Sequence, residues 1–213
     1  MKRLLVFIIL AAAVGGFAAI NFGAPSEQFA ETKTPASVAD GDAIAIFAGG
    51  CFWCVEADFE KLDGVFEAVS GYTGGDVENP TYKQVTYEKT GHVEAVKVRY
   101  DPAAVTYREL VDYFFRHVDP LDEGGQFCDR GHSYVTGIFV RSDDQRRAAE
   151  ASLNEAQEIL GKKVVTPVTD AKKFWPAEEY HQDYYKKNPV RYALYRNGCG
   201  RDRRVRQLWG SQS

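Results

Sequence analysis

The chain has 213 residues, of which 45% are hydrophobic and 13% are aromatic, so it can bury one substantial core. Its formal net charge of −4 at pH 7 gives it no overall basic field, which argues against nucleic acid as a partner. Four arginines near the C-terminus are predicted to form a solvated surface rather than a phosphate-binding or membrane-binding patch: Arg201, Arg203, Arg204 and Arg206.

The N-terminal region has the pattern of an export signal. Lys2 and Arg3 precede an apolar run over residues 4–20, as the charged and apolar parts of a signal peptide do. Because the run is at the short limit for a membrane span, we predict that residues 1–20 are either a cleaved signal peptide or a retained membrane anchor. The protein is then exported and periplasmic, or anchored facing the periplasm, whereas a mis-assigned start codon would leave it cytoplasmic.

A change of composition separates this leader from the rest of the chain. Residues 21–42 are rich in Pro, Ser, Thr, Ala and Asp and have no apolar period, which indicates a flexible linker. Residues 43–213 are predicted to form one folded domain.

The domain begins with a strand, a tight turn and a helix. Six β-compatible residues at 43–48 precede Gly49 and Gly50, and apolar residues then recur at helical spacing from Phe52. This arrangement predicts that Cys51 lies at a helix N-terminus, where free backbone N–H groups and the helix dipole favour a thiolate. Cys51 is therefore a candidate nucleophile.

The elements that follow can be predicted in chain order. The first are a strand at 65–72, an ambiguous short helix at 80–87, a strand at 92–100 and a helix from Thr106 to about His117. A polar loop at 119–133 and a strand at 134–140 follow, and then a helix from Ser142 to about Leu160 that Gly161 ends. The last are an edge strand at 164–168, a helix that begins at Pro176 and carries His181, and a mobile coil beyond Pro189. About five strands with three or four helices in irregular order predict an α+β fold with a mixed or antiparallel sheet.

The four cysteines allow several interpretations. In an exported protein they could form two structural disulfides, with three possible pairings. Cys51 and Cys54 also form a bare C-x-x-C, which is compatible with a thiol-disulfide oxidoreductase. No second closely spaced pair completes a set of four zinc ligands, so we predict no metal. Cys199, flanked by glycines in the predicted coil, could swing onto a reacted thiol.

Other residues suggest proton transfer and an apolar pocket. Glu94 lies on the apolar face of its strand, so it is either a paired carboxylate or a desolvated acid with a raised pKa. Tyr82 and Tyr134 would be fixed donors if a polar oxygen lay near them. Phe52 and Trp53 adjoin the candidate nucleophile and could hold a small apolar group, whereas Trp175 and His181 are predicted to be structural.

Six motifs in order resemble those of the type A peptide methionine sulfoxide reductases: Gly50-Cys51-Phe52-Trp53-Cys54-Val55-Glu56, Asn79-Pro80-Thr81-Tyr82, Gly91-His92-Val93-Glu94-Ala95-Val96, Gln126-Phe127-Cys128-Asp129-Arg130-Gly131, Glu178-Glu179-Tyr180-His181-Gln182 and Cys199-Gly200-Arg201-Asp202. The resemblance covers essentially residues 44–210. It implies a ferredoxin-like two-layer core with long irregular additions, including the C-terminal tail, and makes 43–213 a catalytic domain. His132, Val135 and Thr136 depart from the family pattern around Tyr134.

The resemblance also implies roles for single residues. Cys51 would attack the sulfoxide sulfur of an oxidised methionine, free or in a protein, and Glu94 would protonate the oxygen. Tyr82 and Tyr134 would hydrogen-bond that oxygen. Phe52 and Trp53 would bind the substrate by holding its ε-methyl group, and this contact would select the S epimer. Asp129 would be a further substrate-binding residue near the site.

The same resemblance implies how the enzyme is recycled. The sulfenic acid left on Cys51 would condense with Cys199, and a thioredoxin-like protein would reduce the disulfide, with no bound cofactor. Cys54 and Cys128 are alternative partners for Cys51, although Cys54 is disfavoured if both thiols are fixed on one helix. These features predict a monomeric enzyme of protein repair under oxidative stress. The alternative is an oxidoreductase that uses Cys51 and Cys54.

Overall fold

The computed structural model of the protein describes residues 43–210. The predicted leader at 1–20 and linker at 21–42 lie outside these residues, so neither prediction is tested. Across residues 43–210, no helix is long and apolar enough to cross a membrane.

A six-stranded mixed sheet forms one layer of the fold. Its strands, in spatial order, are β7 (Val168–Asp170), β6 (Thr136–Val140), β1 (Ala43–Gly49), β3 (Val93–Tyr100), β2 (Val65–Thr73) and β8 (Trp175–Pro176). All neighbours are antiparallel except β6 and β7, which are parallel. A separate two-stranded hairpin joins β4 (Gly125–Gln126) to β5 (Asp129–Arg130).

Seven helices accompany the strands in the described part of the chain: α1 (Phe52–Phe59), α2 (Tyr82–Tyr87), α3 (Tyr107–Phe115), α4 (Asp143–Leu160), α5 (Tyr184–Lys187), α6 (Pro189–Cys199) and α7 (Arg201–Trp209). Short 3-10 turns lie at His132–Tyr134 and Glu179–His181. Capping boxes begin α2 at Thr81 and α3 at Thr106, since each threonine accepts from the N3 amide while the N3 side chain accepts in return.

The main core lies between the sheet and its helices. Phe47 and Val96 from the two central strands pack with Phe52, Phe59 and Leu110 from α1 and α3, and all of these side chains are buried. Burial on this scale is the main favourable term in folding, so α1 is held firmly at both ends. The predicted α+β fold with a mixed sheet and packed helices is confirmed.

A glycine turn between β1 and α1 sets the position of Cys51. Gly50 has a φ of +78°, and a Cβ there would come within 2.5 Å of the Gln126 Cβ. Only glycine satisfies both conditions without displacing the hairpin that carries Gln126. The chain therefore reverses sharply and delivers Cys51 to the N-cap of α1, as predicted.

Several predicted elements are wrong in detail. Tyr134 lies in a 3-10 turn before β6 rather than in the strand, and the edge strand begins at Val168 rather than at 164. Pro176 belongs to β8 and begins no helix, because its segment pairs with β2. The region beyond Pro189 is not a coil or an irregular tail. It forms α6 and α7, which the left-handed Gly200 separates.

The predicted solvated surface of C-terminal arginines is also wrong in part. Arg201 is only 2% exposed, because it begins α7 and its side chain points inward. Arg204 pairs with the buried Asp119, with 2.6 Å between Nε and Oδ2. Arg203 and Arg206 are exposed.

Candidate active site

Cys51 lies at the start of α1, outside the helix itself. Its backbone has φ −50° and ψ 115°, and its carbonyl accepts from the Cys54 amide at 3.1 Å. The thiol is buried, with 6% of the residue exposed. The next amide, that of Phe52, donates to Glu94 Oε2 at 3.0 Å, so the N-terminus of the helix holds a carboxyl group from β3.

A small cavity of about 80 Å³ opens at this point. It is lined by Cys51, Phe52, Trp53, Tyr82, Glu94, Asp129, Tyr134 and Tyr195. Seven of these eight residues are the site residues that the sequence predicts, brought together from α1, α2, β3, β5 and the turn before β6. The eighth, Tyr195, was not predicted, and the predicted Cys199 is not in the lining.

Glu94 is the acid of this cavity. Burial raises its pKa to about 8, the nearby Asp129 adds to the shift, and the Phe52 amide opposes it. With 1% exposed and no cationic partner among its hydrogen bonds in the described residues, Glu94 is a neutral carboxylic acid at pH 7 rather than a paired carboxylate. A carboxylic acid of this pKa can donate a proton near neutral pH.

Two tyrosine hydroxyls lie beside that acid. Tyr134 is within hydrogen-bonding range of both Glu94 and Tyr82. Burial raises the pKa of Tyr82 to about 12 and raises that of Tyr134 further, so both hydroxyls stay protonated and can donate. Glu178 fixes Tyr82 from behind by accepting its backbone N–H at 2.9 Å.

Phe52 and Trp53 form the aromatic wall. Phe52 is 1% exposed, and its ring packs 4.9 Å from the His181 ring. Trp53 stacks on Tyr184 with 3.6 Å between ring centroids, and its Nε1 donates to His181 Nδ1 at 3.0 Å. His181 therefore contacts both rings and holds them in place, which gives its predicted structural role a specific form.

Asp129 and Tyr195 also line the cavity, where the Tyr195 ring lies edge-on to the Trp53 ring with 5.9 Å between centroids. The Tyr195 hydroxyl donates to the Asp129 carboxylate and also hydrogen-bonds with the Cys51 thiol. Burial raises the pKa of Asp129 above its usual range. Tyr195 comes from α6, in the region that the sequence predicts to be a coil. Its spacing of four residues before Cys199 would have revealed it had a helix been predicted there.

The two thiols at the start of α1 form a coupled pair. Burial raises the pKa of the Cys51 thiol well above its ordinary value, and the neighbouring Cys54 and Glu94 add to this shift. The hydrogen bond from Cys51 lowers the pKa of Cys54 to about 7, with help from Arg201 and Arg196. Burial therefore opposes the thiolate that the helix N-terminus is predicted to favour at Cys51, and Glu94 on that N-terminus opposes it further.

The other two cysteines form a disulfide. Cys128 and Cys199 are bonded across 71 residues of sequence, with 4.9 Å between their Cα atoms, while Cys51 and Cys54 are free. The disulfide ties the residue before Asp129 to the end of the helix that carries Tyr195.

Two clusters of possible metal ligands occur in the described residues. One combines Cys128 and Cys199 with Asp129, but its sulfurs are bonded to each other. The other combines Glu56, Glu60 and Asp183, where the Lys186 ammonium pairs with both Glu60 and Asp183. Neither cluster is a ready metal centre, and the prediction of no metal and no bound cofactor stays a prediction.

Comparisons with known proteins find a matching family model and similar relatives. The family model described as "Peptide methionine sulfoxide reductase" matches residues 43–213. The chain is 55% identical over 169 residues to "Peptide methionine sulfoxide reductase MsrA 2" of Rhizobium meliloti, a match that covers 79% of this chain and 84% of the relative.

Two solved structures are also similar. Reduced Mxr1 from Saccharomyces cerevisiae matches with a TM-score of 0.67 and 35% identity, over 70% of this chain and 87% of that chain. Mxr1 in complex with Trx2 matches with a TM-score of 0.50 and 28% identity, over 71% and 91%.

Proposed function

This chain belongs to the peptide methionine sulfoxide reductase family and reduces methionine sulfoxide, and from that premise we propose that the reaction takes place at Cys51 in the cavity at the start of α1. The observation that carries the proposal is the shared cavity of a buried thiol and a neutral carboxylic acid. Glu94 is held there by the amide of the residue that follows Cys51. A nucleophile and a proton donor are what sulfoxide reduction requires.

The reductive step transfers one oxygen atom. The Cys51 sulfur attacks the sulfoxide sulfur while Glu94 donates a proton to the oxygen, and Tyr82 and Tyr134 donate hydrogen bonds to the same oxygen. The S–S bond formed by this attack and the S–O bond of the substrate then break as a new S–O bond to the Cys51 sulfur forms, so methionine leaves and the oxygen passes to Cys51 as a sulfenic acid. The thiol proton of Cys51 restores the proton of Glu94, so the step is balanced.

The shape of the cavity supports a choice of substrate epimer. Phe52 and Trp53 line the cavity with aromatic rings against which the ε-methyl group would pack. With the oxygen held by Glu94, the methyl group held by the rings and Cys51 attacking the sulfur from a fixed direction, the position of the remaining group on sulfur is set, so the two epimers do not fit equally. We propose the S epimer, both in proteins and as free methionine sulfoxide.

We propose Cys54 as the thiol that resolves the sulfenic acid in the state described here. Cys51 is the N-cap of α1, where its φ and ψ are not helical although its carbonyl still accepts from the Cys54 amide. The two thiols hydrogen-bond, whereas Cys199 is already bonded to Cys128. The Cys54 thiolate attacks the Cys51 sulfur, hydroxide leaves as water, and a disulfide forms. The role of Cys199 as first resolver stays a prediction that the same experiment tests.

A thioredoxin-like protein is proposed to close the cycle. Mxr1, which is similar to this chain, has been solved in complex with Trx2. Attack by a dithiol on the Cys51–Cys54 disulfide would return both thiols and oxidise the reductant. The same cycle would serve protein repair under oxidative stress.

Export and a monomeric state are proposed from the sequence. The charged and apolar pattern of residues 1–20 supports a signal peptide or an anchor. Mass spectrometry of the N-terminus from membrane and soluble fractions separates the two, and sedimentation of the purified protein tests the monomer.

An assay of each methionine sulfoxide epimer with dithiothreitol tests the proposed function. We expect turnover of the S epimer alone and none with Cys51→Ser. A thiol-disulfide oxidoreductase, which the adjacent Cys51 and Cys54 also favour, would reduce disulfide substrates and leave both epimers unchanged. Equal turnover of both epimers would refute the assigned pocket stereochemistry.

A further inference from the structure

Arg201 is buried where the chemistry described so far gives it no task. Its guanidinium lies beneath β1, where Nη2 donates to the Gly49 carbonyl at 3.1 Å, and its Cζ lies 4.7 Å from the centre of the Phe127 ring. The residue is 2% exposed. A guanidinium is always charged, so this position costs desolvation energy that an anion must offset.

Asp58, the carboxylate paired with Arg201, lies closer to another arginine. Asp58 Oδ1 lies 2.8 Å from Arg196 Nη1, whereas Asp58 Oδ2 is 3.9 Å from Arg201 Nε. Within residues 43–210, both Asp58 Oδ2 and Arg201 Nε are buried and have no hydrogen-bond partner. Arg196 has a second carboxylate in Asp202, at 2.7 Å. The charge of Arg201 is therefore the less compensated of the two.

Cys54 is a buried group on the same helix that can add negative charge beside Asp58. It lies one helical turn before Asp58 on α1 and is 2% exposed. The ionisable groups that act on it come from four elements: Cys51 and Asp58 at α1, Tyr192 and Arg196 on α6, Arg201 on α7 and Glu94 on β3. Among these, Arg201 and Arg196 favour the thiolate, and the hydrogen bond from Cys51 does the same.

We propose that Arg201 is a positioning residue for the second half of the reaction, where its buried guanidinium holds Cys54 as a thiolate beside Cys51. This inference rests on the proposed resolving role of Cys54. The thiolate attacks the Cys51 sulfenic acid, the S–O bond breaks, an S–S bond forms, and the hydroxide takes one proton to leave as water. Because only a thiolate attacks, the rate follows the ionised fraction of Cys54.

Single-turnover kinetics test this role, with methionine formation and loss of free thiol followed separately. Arg201→Gln should leave methionine formation within twofold of wild type but slow disulfide formation about fivefold at pH 7, because a rise of one unit from a pKa of about 7 lowers the ionised fraction of Cys54 from about a half to about a tenth. Arg201→Lys keeps the charge and should recover most of the rate. Arg206→Gln, an exposed arginine on the same helix, is the matched control and should change neither step.

A second measurement reads the thiolate directly. In a Cys51→Ser background, whose hydroxyl still donates to Cys54, thiolate absorbance at 240 nm should titrate at higher pH with Arg201→Gln. Asp58→Asn should shift it to lower pH, which a merely structural role would not do, and this variant keeps the test available if Arg201→Gln does not fold. In that background, the pH at which Cys54 ionises should rise in the order Asp58→Asn, unchanged protein, Arg201→Gln.

Two results would overturn the inference in different ways. If Cys51 of the Cys54→Ser variant still enters a disulfide with another cysteine at the wild-type rate, Cys54 is not the resolving thiol and the proposed role of Arg201 is wrong too. If Cys51 of the Cys54→Ser variant forms no disulfide, but the Arg201→Gln variant forms the Cys51–Cys54 disulfide at the wild-type rate, Cys54 is the resolving thiol and only the proposed role of Arg201 is wrong.

Discussion

The start of α1 holds one pair of cysteines, and the contact between the β4–β5 hairpin and the end of α6 holds the other, but the state of the sulfur differs between these two regions. Cys51 and Cys54 are buried, free and three residues apart. Cys128 and Cys199 are 71 residues apart and bonded, and Cys128 is exposed. Four cysteines in one sequence are thus two chemical classes. What separates the classes is the surroundings of each sulfur.

The neighbouring carboxyl groups show the same contrast. Glu94, beside Cys51, is a neutral acid that faces an open cavity. Asp129, which follows Cys128, already accepts a hydrogen bond from Tyr195. A thiol next to a protonated acid can carry out reduction, whereas the Cys128–Cys199 disulfide fixes the two segments that bring Asp129 and Tyr195 to the cavity wall.

Removal of the acid should have the largest effect on turnover. Glu94→Gln keeps the size and the amide contact but cannot protonate the sulfoxide oxygen, so the reductive step should slow by about 10²-fold or more. Single-turnover formation of methionine measures it. In wild type the same step should slow as pH rises through about 8, because Glu94 then loses the proton that it donates.

Glu56→Gln is the control for this comparison, since Glu56 is equally buried on α1 but does not line the cavity. A Glu94→Gln rate within twofold of wild type would remove Glu94 from the mechanism and erase the contrast between the two regions.

Exchange of one cysteine from each region should have the next largest effect. With a thioredoxin as reductant, Cys54→Ser should lower steady-state turnover about tenfold, since the sulfenic acid then waits for a slower thiol. Cys199→Ser should stay within about threefold of wild type, because the resolving pair is intact. Consumption of NADPH through thioredoxin reductase measures both. The opposite ranking would restore Cys199 as the resolver and make the bonded pair part of the cycle.

The two regions also differ in how far sequence could predict them. Cys51 and Glu94 followed from local patterns: glycines that end a strand before a helix, and an acid on the apolar side of an alternating strand. Tyr195 and the helices around it were missed, because Gly198 and Gly200 beside Cys199 suggested a coil. Gly200 is instead a left-handed residue that ends α6 and precedes α7. Buried Tyr192, Val205 and Trp209 hold those helices down through contacts that no local pattern displays.

The charge and pairing of the sulfurs were equally hidden from the sequence. A cysteine at a helix N-terminus is expected to be a thiolate. Here burial raises the pKa of the Cys51 thiol, and β3, distant in sequence, adds to this by placing Glu94 on that N-terminus. The pairing of Cys128 with Cys199 likewise depends on where α6 ends.

Loss of the disulfide should affect stability more than turnover. A cross-link that closes a loop of 71 residues is worth about 4 kcal/mol in the chain-entropy account, so Cys128→Ser should lower the free energy of unfolding by up to that amount. Urea unfolding of the oxidised protein measures the loss, and turnover with dithiothreitol should stay within about threefold, since the catalytic sulfurs are untouched. A matched serine variant at Cys199 should give the same stability loss. A stable Cys128→Ser protein with little turnover would place this disulfide in the chemistry.

The smallest effect on turnover is expected from Glu56, the buried acid of α1 whose oxygens are already used. Ser70 and the Asp183 amide both donate to it, so it faces no substrate. Burial raises its pKa to about 7 from an ordinary 4.5.

A raised pKa means that the folded state binds the proton of Glu56 more tightly than the unfolded state does. The contribution to stability is therefore complete below pH 4.5 and is lost as pH rises through about 7, with a slope of at most about 1.4 kcal/mol per pH unit. Glu56→Gln should leave sulfoxide turnover within about twofold. It should also flatten the fall in urea stability between pH 5 and pH 7. If the fall is just as steep in Glu56→Gln, Glu56 does not carry that proton, and the slope belongs to Glu94, whose raised pKa has the same sign.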